Sequence, residues 1–263
     1  MRCIQSILAQ DYPRDLIEAI VVDNYSPDGT AAIARSLGVQ VLEKGPERNA
    51  QRQHGASRAS GEYIMFIDAD MELEPTLVSE GVRLCGEAGF DAVILPERSV
   101  GSGFWAAVRA LEKRCYLEDS TMETPNRFIK REVYHAVDGY DPLLIVGEDF
   151  DLGDRIAEAG YSVGRTTAFI AHHEVLTFIQ MLRKHYYYGS HMPQYLRKSR
   201  GRGVKRFFIL RRAYLRNWRE FLRNPLLGGG LVLMKALQYA FGTVGFATGV
   251  FAMRKRRGMS GRA

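Results

Sequence analysis

The chain has 263 residues, of which 46% are hydrophobic, and its length allows one sizeable core with an appendage. Its three cysteines, Cys3, Cys85 and Cys115, are odd in number, widely spaced and lack metal-ligand spacing. This argues against a disulfide framework and indicates a reducing compartment. The first residues contain no long apolar run, so they do not predict a secretory signal.

The net charge of +6 conceals two opposite regions. Residues 1–178 hold 29 of the 30 acidic residues and 17 of the 36 basic ones, whereas residues 179–263 hold 19 basic residues and one acid, Glu220. Such asymmetry predicts two domains, 1–178 and 179–263, with different partners. We expect a divalent cation for the acidic domain. For the basic domain we expect an anionic partner, either membrane lipid or nucleic acid.

Apolar runs and helical patterns alternate through the acidic region. The predicted strands cover 17–24, 39–44, 62–70 and 91–97, and the predicted helices between them cover 26–38 and 47–60. This alternation predicts an α/β fold with a largely parallel sheet. In such sheets ligands bind beyond the carboxyl ends of the strands, which is where Asp23, Asp68 and Asp70 fall.

Asp68 and Asp70 directly follow the strand EYIMFI and are separated by one residue. Two carboxylates at a strand end can converge on one Mg²⁺ or Mn²⁺ ion, which completes its coordination sphere with substrate phosphates. Such an ion would neutralise charge on a nucleoside diphosphate leaving group. The alternative is a pair of solvated turn acids.

A second carboxylate pair, Glu148 and Asp149, begins a helical pattern that continues through Leu152 and Ile156. The helix dipole stabilises an ionised carboxylate at that position, which suits a base that deprotonates an acceptor hydroxyl. The alternative is an acid that caps the helix.

Residues 204–223 predict a basic amphipathic helix. Apolar side chains recur at helical spacing and arginines occupy a different face; the apolar set is Val204, Phe207, Phe208, Leu215, Trp218 and Leu222. A helix of this kind lies in a membrane interface. Its Phe and Trp face favours lipid, so we predict no nucleic-acid partner.

Residues 225–253 are apolar and long enough to cross a bilayer of ~30 Å. Lys235 would then lie in hydrocarbon at a cost of roughly 3 kcal/mol, and basic residues on both flanks leave the orientation undecided. We expect a helix or re-entrant hairpin embedded from the cytoplasmic face of the cell membrane. A single span and a buried core helix are the alternatives.

Six segments over residues 3–175 resemble, in order and spacing, the family 2 inverting glycosyltransferases of the GT-A fold. They are SILAQDYP (6–13), IVVDNYSPDGT (20–30), the basic helix with Arg52, GEYIMFIDADMELEP (61–75), NRFIKREVYHAVDGYDP (126–142) and GEDFDLGDRIAEAGY (147–161). The resemblance implies a nucleotide-binding α/β domain with a mixed, mostly parallel sheet. It also implies a Mn²⁺- or Mg²⁺-dependent nucleotide-sugar donor and inversion by direct displacement.

The resemblance also implies roles on the donor side. Asp23 looks like the acid that reads the nucleobase, and Arg52 matches a basic residue near the nucleotide. Asp68 and Asp70 look like the ligands of the nucleotide ribose and the metal, with Asp70 closest to the metal.

On the acceptor side, Asp149 looks like the catalytic base, with Glu148 supporting it. Related enzymes often carry a histidine after the last strand, in some cases near the metal, and here His172 and His173 occupy that position. Arg127 and Arg131 lie in the segment 126–142, which usually shapes the acceptor pocket in this family. The acceptor candidates are therefore Arg127, Arg131 and His173.

The resemblance begins one strand late. Family members usually start with a strand and a loop that form one wall of the nucleotide pocket, whereas this sequence opens at the following helix, SILAQ. We therefore expect that wall to be missing from this chain or completed by other residues.

These features predict a hexosyltransferase that uses a UDP- or GDP-sugar and a membrane-linked acceptor, either a polyprenyl phosphate or a lipid-linked glycan, in cell-envelope polysaccharide or glycan assembly. One alternative is a nucleotidyltransferase, although the Gly-rich phosphate loop typical of that class is absent from the sequence. The other is a non-catalytic protein that binds the membrane surface.

Overall fold

The structure, a computed structural model, describes residues 1–117, 127–173, 177–200 and 212–260. The chain forms two compact units. The first contains Met1–Val100, Ser120–Leu143 and Glu148–His173, and the second contains Gly101–Asp119, Leu144–Gly147 and Glu174–Ala263. Each unit is described below by itself.

The first unit contains every strand that the described residues form. The strands are β1 (Ile20–Asp23), β2 (Gln40–Glu43), β3 (Tyr63–Met65), β4 (Met71–Leu73), β5 (Ala92–Ile94), β6 (Glu97–Val100), β7 (Phe128–Lys130), β8 (Val163–Arg165) and β9 (Ile170–His173). They form three sheets, with the orders β1-β2, β3-β7-β5-β8 and β4-β9-β6. Three of the six strand pairs among these residues are parallel and three are antiparallel.

The mixed α/β fold expected from the sequence is therefore confirmed, although its strands are divided among sheets. One division lies within the predicted strand 62–70. There the chain turns at Asp68–Asp70, where the Met71 N–H donates to the Asp68 carbonyl at 3.0 Å. β3 and β4 consequently belong to different sheets.

The described residues of this unit also form the helices α1 (Arg2–Leu8), α2 (Thr30–Ser36), α3 (Arg48–Ala56), α4 (Leu77–Gly86), α6 (Arg131–Ala136) and α7 (Glu148–Glu158). A 3₁₀ turn covers Arg14–Leu16. One cluster of buried side chains joins Ile64 and Phe66 to Leu152 and Ile156 of α7. The apolar face of α7 thus packs into the same core as Ile64 of β3 and Phe66.

The second unit is helical in its described residues. Its helices are α5 (Phe104–Tyr116), α8 (Phe178–Lys198), α9 (Arg212–Arg216), α10 (Trp218–Arg223) and α11 (Pro225–Ser260). Thr177 and Gln180 form a capping box that begins α8. Val108 and Leu111 of α5 pack with Leu231 and Met234 of α11 in a separate apolar core.

The basic amphipathic helix predicted for 204–223 differs from the structure. Residues 204–211 lie outside the described residues, and the rest forms two short helices that meet at Asn217. At this junction the Asn217 side-chain amide and the Asn217 backbone N–H both donate to the Ala213 carbonyl, at 2.9 Å and 3.1 Å. Leu215, Trp218 and Leu222 are exposed, as an interfacial apolar face requires.

Residues 225–260 form one continuous helix, so the predicted re-entrant hairpin is wrong for this segment. Two of its glycines, Gly245 and Gly249, allow close packing against α8. A Cβ built on Gly245 would clash with the Tyr186 carbonyl oxygen, and one built on Gly249 would clash with the Ser190 carbonyl oxygen. Among the described residues, Pro225–Lys255 is long and apolar enough to cross a membrane, by length and composition alone.

Lys235 has a partner that the sequence does not reveal. Its ammonium group forms an ion pair with Glu112 of α5, and it donates to Gln238 at 3.0 Å. The cost predicted for an isolated lysine in an apolar helix is therefore offset by a nearby carboxylate.

Candidate active site

The Asp68–Asp70 turn is the centre of the candidate site. It connects β3 to β4, and the His173 N–H of β9 donates to the Asp70 carbonyl at 2.9 Å. The backbone of this turn is thus fixed from both sides by strands. Its two carboxylates have different surroundings, because arginines surround Asp68 whereas 40% of the Asp70 side chain is exposed.

Asp68 forms ion pairs with two buried arginines. Arg52 Nη2 lies 2.7 Å from Asp68 Oδ1, and Arg127 Nη1 lies 3.5 Å from Asp68 Oδ2. Burial alone would raise the pKa of Asp68, but the attraction of Arg127 and Arg52 outweighs it and holds this pKa well below its usual range. Asp68 is therefore an ionised carboxylate that is bound on two sides.

Arg52 also joins Asp68 to Asp149 of α7. Its Nη1 lies 3.0 Å from Asp149 Oδ1, so a single guanidinium spans the two carboxylates. Tyr140 supports this arrangement, since its hydroxyl donates to Asp149 Oδ1 at 3.1 Å and its ring lies 5.0 Å from the Arg52 guanidinium carbon. The Asp149 side chain is 32% exposed, which leaves it accessible to a substrate.

Glu148 is buried beside Asp149 and has a different environment. Its carboxylate pairs with Arg48, and Arg52 Nη1 lies 3.9 Å away. Burial and the neighbouring Asp149 charge raise the pKa of Glu148, although both arginines oppose this shift. Glu148 holds the arginines of α3 at the start of α7 and is less accessible than Asp149.

Asp70 contacts a second group of charged side chains. His172 Nε2 lies 3.2 Å from Asp70 Oδ2, and His172 Nδ1 lies 3.2 Å from Glu97 Oε2. Burial lowers the pKa of His172, but its hydrogen bonds to the two carboxylates outweigh burial and raise the pKa to about 9. An imidazolium in turn lowers the pKa of Asp70.

The side chains of three residues selected from the sequence lie outside the two groups of contacts around Asp68 and Asp70. Asp23 is buried at the end of β1, where it accepts a hydrogen bond from the Ser26 N–H at 2.7 Å. Arg131 is exposed at the first position of α6. His173 contacts Glu72 at 2.9 Å and Arg2 at 2.8 Å.

The structure adds three residues to those that the sequence analysis names: Arg48, Glu97 and Tyr140. They are a helix arginine, a strand carboxylate and a buried tyrosine, types that sequence alone does not distinguish from structural residues. Of the two histidines that the sequence places after the last strand, His172 is the one whose side chain contacts Asp70.

The site can contribute oxygen ligands to a divalent cation, but it does not form a complete cage. Among the described residues, no group of three or more His, Cys, Asp or Glu side chains is arranged to hold a metal. Asp70 presents a partly exposed carboxylate, and Asp68 lies beside it. This donor set fits Mg²⁺ or Mn²⁺ that takes one or two carboxylates and completes its sphere with phosphate oxygens and water.

Comparison with known proteins agrees with the family resemblance found in the sequence. The model of the family described as "Glycosyl transferase family 2" matches residues 1–140. Glycosyltransferase AglE of Haloferax volcanii is 26% identical over 203 residues, a match that covers 72% of this chain and 67% of AglE.

Solved structures share the fold at low identity. S. aureus TarS 1–349 in complex with UDP aligns over 97% of this chain and 87% of that chain, with a TM-score of 0.50 and 14% identity. GalNAc-T7 with UDP, GalNAc and Mn²⁺ aligns over 72% of this chain and 46% of that chain, with a TM-score of 0.52 and 17% identity. In a longer TarS chain the match spans 36% of the length.

Proposed function

Because the chain belongs to glycosyl transferase family 2, we propose that it is an inverting hexosyltransferase that moves a sugar from a UDP- or GDP-sugar to a membrane-linked acceptor. The observation that carries this proposal is the Arg52 guanidinium, which holds Asp68 at 2.7 Å and Asp149 at 3.0 Å. A donor-side acid and a base candidate thus contact the same guanidinium, and this proximity supports a mechanism of direct displacement.

Asp149 acts as the general base in this mechanism. It removes the proton from the acceptor hydroxyl, whose oxygen attacks the anomeric carbon as the bond to the diphosphate breaks. Arg52 and Tyr140 orient the Asp149 carboxylate, and the exposed part of that side chain faces the acceptor. If the acceptor is a phosphate, no proton needs to be removed, and Asp149 positions it instead.

Asp70 and Asp68 would hold a divalent cation together with the donor diphosphate. When bound, Mn²⁺ or Mg²⁺ neutralises negative charge on the leaving group. The UDP and Mn²⁺ in the GalNAc-T7 structure support the use of such an ion by this fold. Asp23 at the end of β1 contacts the nucleobase, and Arg52 contacts the nucleotide.

The acceptor would bind on the side of Asp149 and Glu148, with Arg127, Arg131 and His173 as candidates from the sequence. The contacts of Arg127 with Asp68 and Glu97 favour a role for it beside the donor acids. Arg131 is exposed and therefore suits contact with an anionic acceptor group.

Residues 1–178 would carry catalysis, and residues 179–263 would hold the enzyme on the cytoplasmic face of the cell membrane. The helical unit exposes large apolar side chains beside many basic residues, including Trp218 at 53%, Leu222 at 66% and Leu226 at 79% exposure. Apolar and cationic groups together bind anionic lipid. Such an enzyme fits the assembly of cell-envelope polysaccharide or lipid-linked glycans.

A donor screen tests the enzymatic proposal. Purified protein is incubated with UDP- and GDP-sugars, with and without Mn²⁺, and release of the nucleoside diphosphate is measured. We expect Mn²⁺-dependent release from at least one donor, and a loss of roughly 100-fold or more in Asp70→Asn. Asp15→Asn makes the same change at an exposed position and serves as the control. Release that does not depend on Asp70 would contradict the metal site.

Liposome flotation tests the membrane proposal. We expect Trp218→Ser combined with Leu222→Ser to weaken binding to vesicles of phosphatidylglycerol and phosphatidylcholine by about tenfold or more. Leu143→Ser removes an exposed leucine from the α/β unit and should bind as the wild type does. Equal flotation of the double variant and the wild type would contradict this membrane face.

A further inference from the structure

Glu97 lies at the first position of β6, outside every segment that the sequence marks as functional. Its side chain is 18% exposed, and its two oxygens have different partners. Oε1 accepts from Arg127 Nη2 at 2.9 Å, and Oε2 lies 3.2 Å from His172 Nδ1. One carboxylate therefore contacts two cationic groups at the same time.

Each of those groups contacts one carboxylate of the Asp68–Asp70 turn. Arg127 Nη1 lies 3.5 Å from Asp68 Oδ2, and His172 Nε2 lies 3.2 Å from Asp70 Oδ2. Acidic and basic side chains thus alternate from Asp70 through His172, Glu97 and Arg127 to Asp68. Glu97 is the central member of this chain.

The strands give this chain of contacts a rigid base. β9 lies between β6 and β4, and His172 is paired in register with Ser99 on one side and Met71 on the other. The imidazole can therefore reach Glu97 of one neighbouring strand and Asp70 beside the other. Side chains on paired strands are held more exactly in place than side chains on loops.

We propose that Glu97 is a positioning residue that orients both carboxylates of the donor-side turn through Arg127 and His172. This inference rests on the proposed function. Without the Glu97 charge, Arg127 has Asp68 as its nearest anionic partner and moves toward it, while His172 loses the contact that orients its ring at Asp70. Partners beyond the direct ligands typically change metal affinity or activity by ~10–100-fold.

Binding measurements on the metal-free protein test this role. Mn²⁺ titrations in the presence of UDP, followed by electron paramagnetic resonance, give the dissociation constant without turnover. We expect Glu97→Gln to weaken Mn²⁺–UDP binding by about 10–100-fold, and Glu97→Asp to give an intermediate value because it keeps the charge on a shorter side chain. With a donor substrate, KM should rise more than kcat falls.

Two controls separate positioning from loss of structure. Glu87→Gln makes the same change at the exposed end of α4 and should bind Mn²⁺–UDP as the wild type does. All variants are also compared by thermal unfolding. A Glu97→Gln defect that disappears when binding is corrected for the unfolded fraction would overturn the proposal.

A double-mutant cycle tests whether Glu97 acts through His172. If it does, Glu97→Gln combined with His172→Gln weakens binding by less than the product of the two single effects. Independent effects would overturn that route. A wild type that binds no Mn²⁺–UDP contradicts the proposed function, whereas equal binding by the wild type and Glu97→Gln contradicts only the positioning role.

Discussion

The two units each contain a buried cluster of opposite charges, and the clusters differ in what they leave accessible. In the α/β unit, Arg52 joins Asp68 to Asp149, and 32% of the Asp149 side chain remains exposed. In the helical unit, the Glu112 side chain is 4% exposed and pairs with Lys235 and Arg109. The first cluster lies at the ends of strands and a helix, and the second lies in the middle of helices.

This difference indicates what each cluster does. A partly exposed carboxylate can exchange a protein contact for a ligand, whereas an enclosed one can do so only if the helices separate. The charges around Arg52 are therefore suited to substrate, and those around Glu112 to holding α5 against α11. Burial alone does not distinguish the two roles.

The largest effect is expected at the exposed carboxylate. Asp149→Asn removes the base and should lower the rate of transfer to a hydroxyl acceptor by roughly 10²–10⁴-fold. Its unfolding temperature should change little, because Arg52 keeps its contact with Asp68. Asp138→Asn is a suitable control, since Asp138 is exposed and its φ of 60° is one that asparagine tolerates. Full transfer by Asp149→Asn would remove its proposed role.

The enclosed carboxylate should show the opposite behaviour. Glu112→Gln leaves Lys235 without its countercharge and should lower the free energy of unfolding by about 3 kcal/mol. The rate per folded molecule should be unchanged. Glu220→Gln breaks an exposed pair with Arg223 and should cost less than about 0.5 kcal/mol in a denaturant titration. Equal costs for the two variants would contradict the enclosed pair.

Lowering the pH should destabilise the helical unit, because Glu112 becomes protonated. Burial tends to raise the pKa of Glu112, but Lys235 and Arg109 outweigh it and lower the pKa to about 2 from the ordinary 4.5. The resulting stabilisation, on the order of 3 kcal/mol, is present above pH 4.5 and is lost as the pH falls toward 2. In thermal unfolding between these pH values, Glu112→Gln should lose less stability than the wild type. An identical loss in both proteins would contradict this assignment.

The smallest effect is expected when both members of the enclosed pair are replaced. Glu112→Leu combined with Lys235→Met removes both members of the enclosed pair, and Arg109, which loses its contact with Glu112, has a side chain that is 25% exposed. The double variant should change the unfolding free energy by less than about 2 kcal/mol. A double variant that is less stable than Glu112→Gln would show that the pair has a role beyond charge balance.

Local patterns were sufficient to predict β3, the acids that follow it and the helix that begins at Glu148. Each depends on a run of neighbouring residues, such as the apolar EYIMFI or the three acids in the first turn of α7.

Contacts between distant segments could not be predicted in this way. Strand alternation places His172 and His173 on opposite faces, but only the register of β9 against β4 shows that His172 faces Asp70. Similarly, the hydropathy of residues 225–253 predicts an energetic cost for placing Lys235 in an apolar helix. The sequence does not show that Lys235 pairs with Glu112, because Glu112 lies on another helix. Tertiary packing decides both cases.

A crystal structure of the protein with UDP and Mn²⁺ would test the proposed site most directly. We expect the diphosphate and the metal to lie at Asp70 and the Asp149 carboxylate to face the same bound donor, across Arg52 from Asp68. A nucleotide bound elsewhere, or an Asp149 side chain directed away from the diphosphate, would contradict the proposed site.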